Sequence, residues 1–167
     1  MSTAAPARTR LGGHLVAESL AALGARAVFG VPGIHALAIW EALRASPLRT
    51  LGFRTELCAG FAADGYARAS GSAAALLLST GPGALNALTA LMEAATAHVP
   101  VVAISSQEPR ALIGRGRGFL HELPDQRAVF APVVKHAARA ESGEGLPEVL
   151  AAAWRAALTP PAGPVYV

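Results

Sequence analysis

The sequence predicts an α/β fold: a three-layer α/β/α sandwich built on a mainly parallel sheet. Short apolar runs such as 73–79 and 99–105 show no polar alternation, which is typical of strands buried on both faces. These runs alternate with alanine-rich stretches of helical period, as parallel strands joined by helices do. With 167 residues, 53% of them hydrophobic, the chain is long enough for one domain with a substantial core.

The elements can be assigned in order from periodicity and from helix start and stop signals. The predicted helices cover 12–23, 35–43, 56–69, 84–97 and 147–158. The predicted strands cover 27–30, 48–53, 73–79, 99–105, 133–138 and 164–167. Gly24 and Gly71 mark the ends of the first and third helices, and Thr55 is the expected N-cap of the third.

Three of the strand-to-helix junctions carry the residues of greatest interest. Segment 30–33, Gly-Val-Pro-Gly, and segment 80–83, Thr-Gly-Pro-Gly, are turns with little side-chain bulk, which let backbone approach a flat ligand. Between them, Glu56 brings a carboxylate to the rim of the sheet, where α/β folds assemble their sites. The alternative role for Glu56 is a helix-starting acid that complements the helix dipole.

Composition and charge narrow the possible functions. The net charge is +3, from 14 basic and 11 acidic residues, which does not indicate nucleic-acid binding. The basic segment 114–118 is predicted to be a surface loop rather than an RNA-binding RGG element. One cysteine excludes an internal disulfide, no apolar run approaches a membrane span, and residues 1–11 are expected to be a disordered tail. We expect a cytoplasmic location.

Two motifs carry a family resemblance that extends over 12–167. Glu56 begins a segment that ends in Asp-Gly-Tyr-Ala-Arg at 64–68, and Thr-Gly-Pro-Gly-x-x-Asn follows at 80–86. In this order and spacing the chain resembles the N-terminal pyrimidine-binding (PYR) domain of thiamine-diphosphate enzymes, the acetolactate synthase, pyruvate oxidase and 2-oxo acid decarboxylase family. The resemblance implies the thiamine-diphosphate-binding fold and an enzyme acting on 2-oxo acids.

The resemblance also implies roles for individual residues. Glu56 would promote the imino tautomer of the cofactor, with Leu57, Cys58 and Phe61 expected to form an apolar wall around its carboxyl. The remaining cofactor-binding positions that it implies are Pro32, Gly33, Thr80, Gly83 and Asn86. Asn86 is equally well explained as a polar residue that satisfies free amides near a helix start.

Two histidines are candidate catalytic residues. His35 follows the Pro-Gly turn, where some family members place a side chain near the reacting carbon. His121 takes the position of a glutamine in the family's Phe-Gln-Glu segment, which favours a decarboxylase or lyase over a synthase. A neutral imidazole at either place could relay protons. A surface or core histidine with a satisfied hydrogen bond is the alternative for each.

The sequence predicts no metal ligands. Segment 121–125 resembles part of a zinc-protease motif but lacks its second histidine, and Pro124 interrupts the helix that the motif needs. In the family, Mg²⁺ and the diphosphate are held by a second, diphosphate-binding domain. We therefore expect that domain, in the same protein or in a partner subunit, to complete the site, and the chain alone to be inactive.

The last residues, 163–167, lie within a predicted core strand, so we expect a fragment of a longer three-domain protein. Two alternatives stay open: a stand-alone α subunit of a two-chain decarboxylase, and a non-catalytic dimerising domain. The helices 56–69 and 84–97 are apolar around much of their circumference, which predicts a homodimer that buries them.

Overall fold

The computed structural model describes residues 11–167 as a three-layer α/β/α sandwich, which confirms the predicted fold class. The predicted tail lies outside the described residues except for Leu11. The helices are α1 (Gly12–Ala22), α2 (Leu37–Arg44), α3 (Glu56–Ser70), α4 (Pro82–Asn86), α5 (Leu88–Thr96), α6 (Gln126–Phe130) and α7 (Leu146–Leu158). The strands are β1 (Ala27–Gly30), β2 (Arg49–Gly52), β3 (Ala74–Leu78), β4 (Val101–Ser105), β5 (His136–Ala137) and β6 (Val165–Tyr166).

The six strands form one sheet in the order β2-β1-β3-β4-β6-β5, and every neighbouring pair is parallel. The chain leaves β1 to form β2 on one side, then returns across β1 to form β3 on the other. Strand order thus reverses at β1 and β3. In open parallel sheets the segments after two such strands diverge and leave a crevice, which is the usual ligand position.

The two outer layers pack on opposite faces of the sheet. Helices α1, α2 and α7 share one core cluster, and α3, α4, α5 and α6 share the other. Strand β3 shows why both faces are apolar: Ala75 and Leu77 enter the first cluster, whereas Leu76 and Leu78 enter the second. Local signals at the helix ends also held, since the Thr55 hydroxyl caps α3 and Gly71 ends it at φ 64°.

Four elements differ from the sequence prediction. The expected helix 84–97 breaks at Ala87, whose N–H bonds the Ala84 carbonyl three residues back. The expected strand 133–138 is reduced to β5, because Val133 and Val134 both donate to Phe130 in a turn after α6. Helix α6 itself was not predicted. Strand β2 is a largely exposed edge rather than a buried strand.

No helix in the part of the chain from residue 11 onward is both long enough and apolar enough to cross a bilayer.

Two adjacent glycines at the start of α1 give a matched stability test. A Cβ at Gly13 would overlap the backbone carbonyl of Ala38, at the start of α2, whereas a Cβ at Gly12 would meet nothing within 4 Å. We expect Gly13→Ala to lower the free energy of unfolding by about 1–3 kcal/mol, since α1 must move away from α2. Gly12→Ala should leave it unchanged or raise it by up to about 1 kcal/mol. Urea denaturation measures both, and equal values would contradict the close packing.

Candidate functional site

The turn after β1 and the turn after β3 approach each other very closely. A Cβ added at Gly33 would overlap the side chain of Ser79, so no larger residue fits there without displacing β3's end. Gly33 itself has an extended backbone (φ −138°), so the requirement is space rather than an unusual conformation. The neighbouring Pro32 is exposed beside this contact. Together they form the floor of the crevice.

Glu56 stands at the wall of the same crevice. The Thr55 hydroxyl accepts a hydrogen bond from Cys58 N at 3.2 Å, which starts α3 with Glu56 as its first residue. A Cβ at Gly83 would lie 3.0 Å from Glu56 Oε1 and 3.0 Å from the Ser79 Cβ. Gly33, Ser79, Gly83 and Glu56 are therefore contiguous.

Asn86 extends this group by one helical turn. Its Nδ2 donates to Glu56 Oε2 at 3.3 Å, across 30 residues of sequence. Because the amide restrains one carboxylate oxygen, Oε1 is left directed at the space above Gly83. The Asn86 side chain therefore contacts the Glu56 carboxylate, an arrangement that neither sequence-based explanation of Asn86 had specified.

Within residues 11–167, the three side chains expected to form an apolar wall around the Glu56 carboxyl are exposed instead. Leu57 and Phe61 are 38% and 44% exposed, and Cys58 is an exposed free thiol. The reason is helical geometry: Ala59, Ala63 and Ala67 form the buried stripe of α3, so Leu57 and Phe61 lie on its outer side. Met92 of α5, the helix that packs against α3, is also exposed, at 59%.

The two candidate histidines lie side by side although 86 positions separate them in the sequence. The ring centroids of His35 and His121 are 5.8 Å apart in an edge-to-face arrangement, and His35 also stacks on Phe119 at 5.8 Å. His121 has φ 63°, a conformation that non-glycine residues rarely adopt and that often accompanies functional sites. Gly81 makes room for its backbone, since a Cβ there would overlap the His121 carbonyl.

Thr80 is placed beneath the crevice rather than in it. Its side chain is fully buried, and its hydroxyl lies 3.1 Å from the Ser106 hydroxyl. Ser106 N also donates to the Leu78 carbonyl, at 3.3 Å. The Thr80 side chain therefore fastens the end of β4 to the end of β3.

Gln126 is a central hydrogen-bonding residue that the sequence did not reveal. Its Oε1 accepts from Gly81 N at 2.5 Å, while its Nε2 donates to Tyr166 at 2.7 Å and to Ser105 at 2.6 Å. The side chain is 2% exposed and joins α6, β4, β6 and the turn after β3. Its first partner lies 45 residues away, so no local pattern marks it.

Glu122 organises the basic loop that precedes it. Its Oε2 accepts a hydrogen bond from Phe119 N at 3.0 Å. This bond, together with weaker ones from the amides of residues 116–118, holds the pKa of the Glu122 carboxyl below its usual 4.5. The loop carries three glycines with positive φ, which allow the amides to turn inward. Glu122 is thus a structural anion for the segment that carries His121.

Unsatisfied polar atoms concentrate at this edge of the sheet. Buried side-chain polar groups normally have partners, so each exception calls for an explanation. Within residues 11–167, the buried side-chain nitrogen and oxygen atoms without a hydrogen-bond partner lie on the segments just after β1, β3 and β4 or on residues 121–122. The one exception is Trp40 Nε1, on helix α2. The edge group comprises His35 Nδ1, Ser79 Oγ, Glu108 Oε1 and Oε2, His121 Nδ1 and Glu122 Oε1.

A parallel sheet with close backbone turns, a carboxylate and unpaired polar atoms at its switch point defines an α/β protein that binds a small molecule at that edge. Within residues 11–167, no group of three or more His, Cys, Asp or Glu side chains is placed to hold a metal ion.

Comparison with known proteins identifies the family. The model of the N-terminal TPP-binding domain of thiamine pyrophosphate (thiamine diphosphate) enzymes matches residues 10–129, and the chain belongs to this family. A probable 2-ketoarginine decarboxylase from Pseudomonas aeruginosa is 43% identical over 149 residues, which are 89% of this chain and 27% of that protein. The family predicted from the two motifs is thereby confirmed.

Acetolactate synthases are also similar. A probable large subunit from Methanocaldococcus jannaschii is 36% identical over 156 residues, covering 93% of this chain and 26% of that protein. The chloroplastic acetolactate synthase 1 of Oryza sativa is 38% identical over 163 residues, covering 97% and 25%. The chain spans about a quarter of the length of these relatives, so further domains accompany this one in them.

Tyr166 allows a test of the network around Gln126. Burial raises the pKa of the Tyr166 phenol above its usual 10.0. A raised pKa means that the folded protein holds the phenolic proton more tightly than the unfolded chain does. The contribution of the protonated phenol to the free energy of unfolding is therefore complete below pH 10 and is lost as pH rises through the folded-state pKa. We expect the free energy of unfolding to fall above about pH 10.

Tyr166→Phe should remove that alkaline decline and lower the free energy of unfolding by about 1 kcal/mol at neutral pH, since Gln126 Nε2 keeps Ser105 as a partner.

Gln126→Leu should lower the free energy of unfolding by about 2 kcal/mol or more, because it leaves Gly81 N unsatisfied. Denaturation series between about pH 7 and about pH 11 measure both. An equal decline in wild type and Tyr166→Phe would contradict this account.

Proposed function

We propose that this chain is the pyrimidine-binding domain of a thiamine-diphosphate-dependent decarboxylase of 2-oxo acids, with Glu56 as its cofactor-activating acid. The observation that carries the proposal is the position of the Glu56 carboxylate, at the switch point of the sheet and above Gly83. A degenerate interaction domain would have no need for a carboxylate at that place, so the enzyme is favoured over the non-catalytic alternative.

The residues present fit the pyrimidine half of thiamine diphosphate. The ring is flat, and Gly33 and Gly83 keep the crevice free of side-chain bulk on the two sides of Ser79. The ring also carries nitrogen donors and acceptors, which match the Glu56 carboxylate and the unpartnered Ser79 hydroxyl. Pro32, Gly33, Gly83 and Asn86 would bind or orient the ring, and Thr80 would hold the turn beneath it.

When bound, thiamine diphosphate supplies a nucleophilic carbon at C2 of its thiazolium ring. The Glu56 carboxyl would hold and return a proton at a pyrimidine ring nitrogen, and so promote the imino tautomer. Asn86 restrains Oε2, which leaves Oε1 for that contact. The structural alternative, an acid that only complements the dipole of α3, does not account for the contact with Asn86.

His35 and His121 are proposed to serve the substrate rather than the cofactor. Each has a buried Nδ1 without a partner among the described residues, and their rings touch. Two neutral imidazoles in contact can hold or pass a proton at the substrate carbonyl or at its carboxylate. Gly81 and the strained backbone of His121 fix the position of the second ring.

The proposed substrate is a 2-oxo acid whose far end is cationic. The relative that is 43% identical is named for 2-ketoarginine, a 2-oxo acid with a guanidinium group. His121, in place of the synthase glutamine, also favours a lyase over a transferase. Mg²⁺ and the diphosphate would be held by a domain outside this chain, in the same protein or in a partner subunit. The exposed Cys58 thiol supports a reducing, cytoplasmic location.

A homodimer is the proposed assembly. Leu57, Phe61 and Met92 form an apolar surface on α3 and α5 that a monomer would leave in water. A second copy across a two-fold axis is the commonest way to cover such a surface. Light scattering at tens of micromolar should return a dimer of the full-length protein, and a monomer would oppose the assignment.

The role of Glu56 is tested with Glu56→Gln in the full-length enzyme. Gln keeps the size and the contact with Asn86 but cannot cycle a proton. We expect hydrogen–deuterium exchange at C2 of bound thiamine diphosphate to slow by about a hundredfold or more. Cofactor affinity and circular dichroism should change little. The exposed Glu148→Gln serves as the control. Exchange at the wild-type rate in Glu56→Gln would show that Glu56 is not the activating acid.

A further inference from the structure

Glu108 is a buried carboxylate without a counterpart. It is 2% exposed, and neither of its carboxylate oxygens has a hydrogen-bond partner among residues 11–167. Burying an unpaired carboxylate costs several kcal/mol in general, so proteins seldom leave one without a reason. Its backbone N–H is satisfied by Gln107 Oε1 at 3.2 Å, and the deficit therefore lies in the side chain alone.

The basic residues within 11–167 do not supply the missing partner. Arg110, two residues further on, is directed to the backbone and carboxylate of Glu141. Arg139 binds the same carboxylate at 2.8 Å. None of the ion pairs within 11–167 includes Glu108, so a cation that pairs with it would come from outside these residues.

Glu108 belongs to the same edge of the sheet as the proposed site. It follows β4 by three residues, and Ser106 between them is fastened to Thr80 and Leu78 at the end of β3. The other unpartnered atoms on the segments after β1 and β3 belong to the His35 imidazole and the Ser79 hydroxyl, which a hydroxyl or a water can satisfy. On the segments after β1, β3 and β4 in residues 11–167, Glu108 alone has two free oxygens that can both accept from one cation.

We infer that Glu108 is the specificity residue that pairs with the cationic end of the substrate. This inference rests on the proposed function, since it assigns a residue to the far end of the proposed 2-oxo acid. A guanidinium offers parallel N–H donors that match both free oxygens of one carboxylate. The same carboxylate rejects neutral 2-oxo acids, because they would leave it buried and unpaired.

The role of Glu108 also predicts its effect on stability. A carboxylate kept for binding destabilises the substrate-free protein, whereas a carboxylate with a structural partner stabilises it. We expect Glu108→Leu to raise the melting temperature of the substrate-free full-length protein by a few degrees. The exposed Glu144→Gln serves as the control and should leave it unchanged.

Selectivity is the direct test, in the full-length protein with thiamine diphosphate and Mg²⁺. The pair of substrates is 5-guanidino-2-oxopentanoate and the uncharged 2-oxohexanoate. We expect Glu108→Gln to lower kcat/KM for the cationic acid by about ten- to a hundredfold, the loss of a charge-assisted pair. Turnover of the neutral acid should stay constant or rise. Glu144→Gln should keep the wild-type ratio.

A binding measurement separates this inference from the proposed function. n-Butylguanidine has the cationic end but no 2-oxo acid, and it should raise the melting temperature of wild type and not of Glu108→Gln. If wild type turns over no 2-oxo acid, the proposed function is wrong, and n-butylguanidine alone decides the role of Glu108. Turnover without preference for the cationic acid, or a lower melting temperature in Glu108→Leu with unchanged selectivity, would overturn the inference.

Discussion

The close approach of backbone turns at the ends of β1 and β3 is the constraint on which the site depends. Gly33 has no room for a side chain and Gly83 has little, because Ser79 lies against both of them. The reversal of strand order at this point opens a crevice, and the glycines keep it narrow and flat. The start of α3 then places Glu56 at the wall of the crevice. A Cβ at Gly83 would press against Glu56 Oε1 at 3.0 Å, and a Cβ at Gly33 would overlap Ser79.

Beneath the crevice, a satisfied polar network gives this edge its rigidity. Gln126 joins the turn after β3 to β4 and β6, and the Thr80–Ser106 contact joins β3 to β4. At the same edge, His35 Nδ1, Ser79 Oγ, both Glu108 carboxylate oxygens and His121 Nδ1 have no hydrogen-bond partner in the part of the chain from residue 11 onward. The polar groups at this edge thus fall into two sets, those with hydrogen-bond partners and those without. The paired groups stabilise the protein, and under the proposed function the unpaired groups would gain their partners from a ligand.

The sequence predicted what depends on local or strongly patterned signals. Thr55 and Gly71 gave the bounds of α3, and the segments Gly-Val-Pro-Gly (30–33) and Thr-Gly-Pro-Gly (80–83) located two turns of the sheet edge. The sequence did not predict contacts between distant residues. Gln126 accepts a hydrogen bond from Gly81 across 45 positions, and no local pattern around either residue indicates this contact. The exposure of Leu57 and Phe61 was also missed, because composition shows that a helix is apolar but not which layer covers it. The orphaned carboxylate of Glu108 became visible only once its surroundings were known.

The most direct test of the central claim is the structure of the full-length protein with thiamine diphosphate and Mg²⁺. This account predicts the pyrimidine ring between Gly33 and Gly83, with a Glu56 oxygen within about 3.2 Å of a ring nitrogen. Asn86 should still contact the other oxygen. A pyrimidine bound elsewhere, or a Glu56 carboxylate turned to solvent with the ring in the crevice, would contradict it.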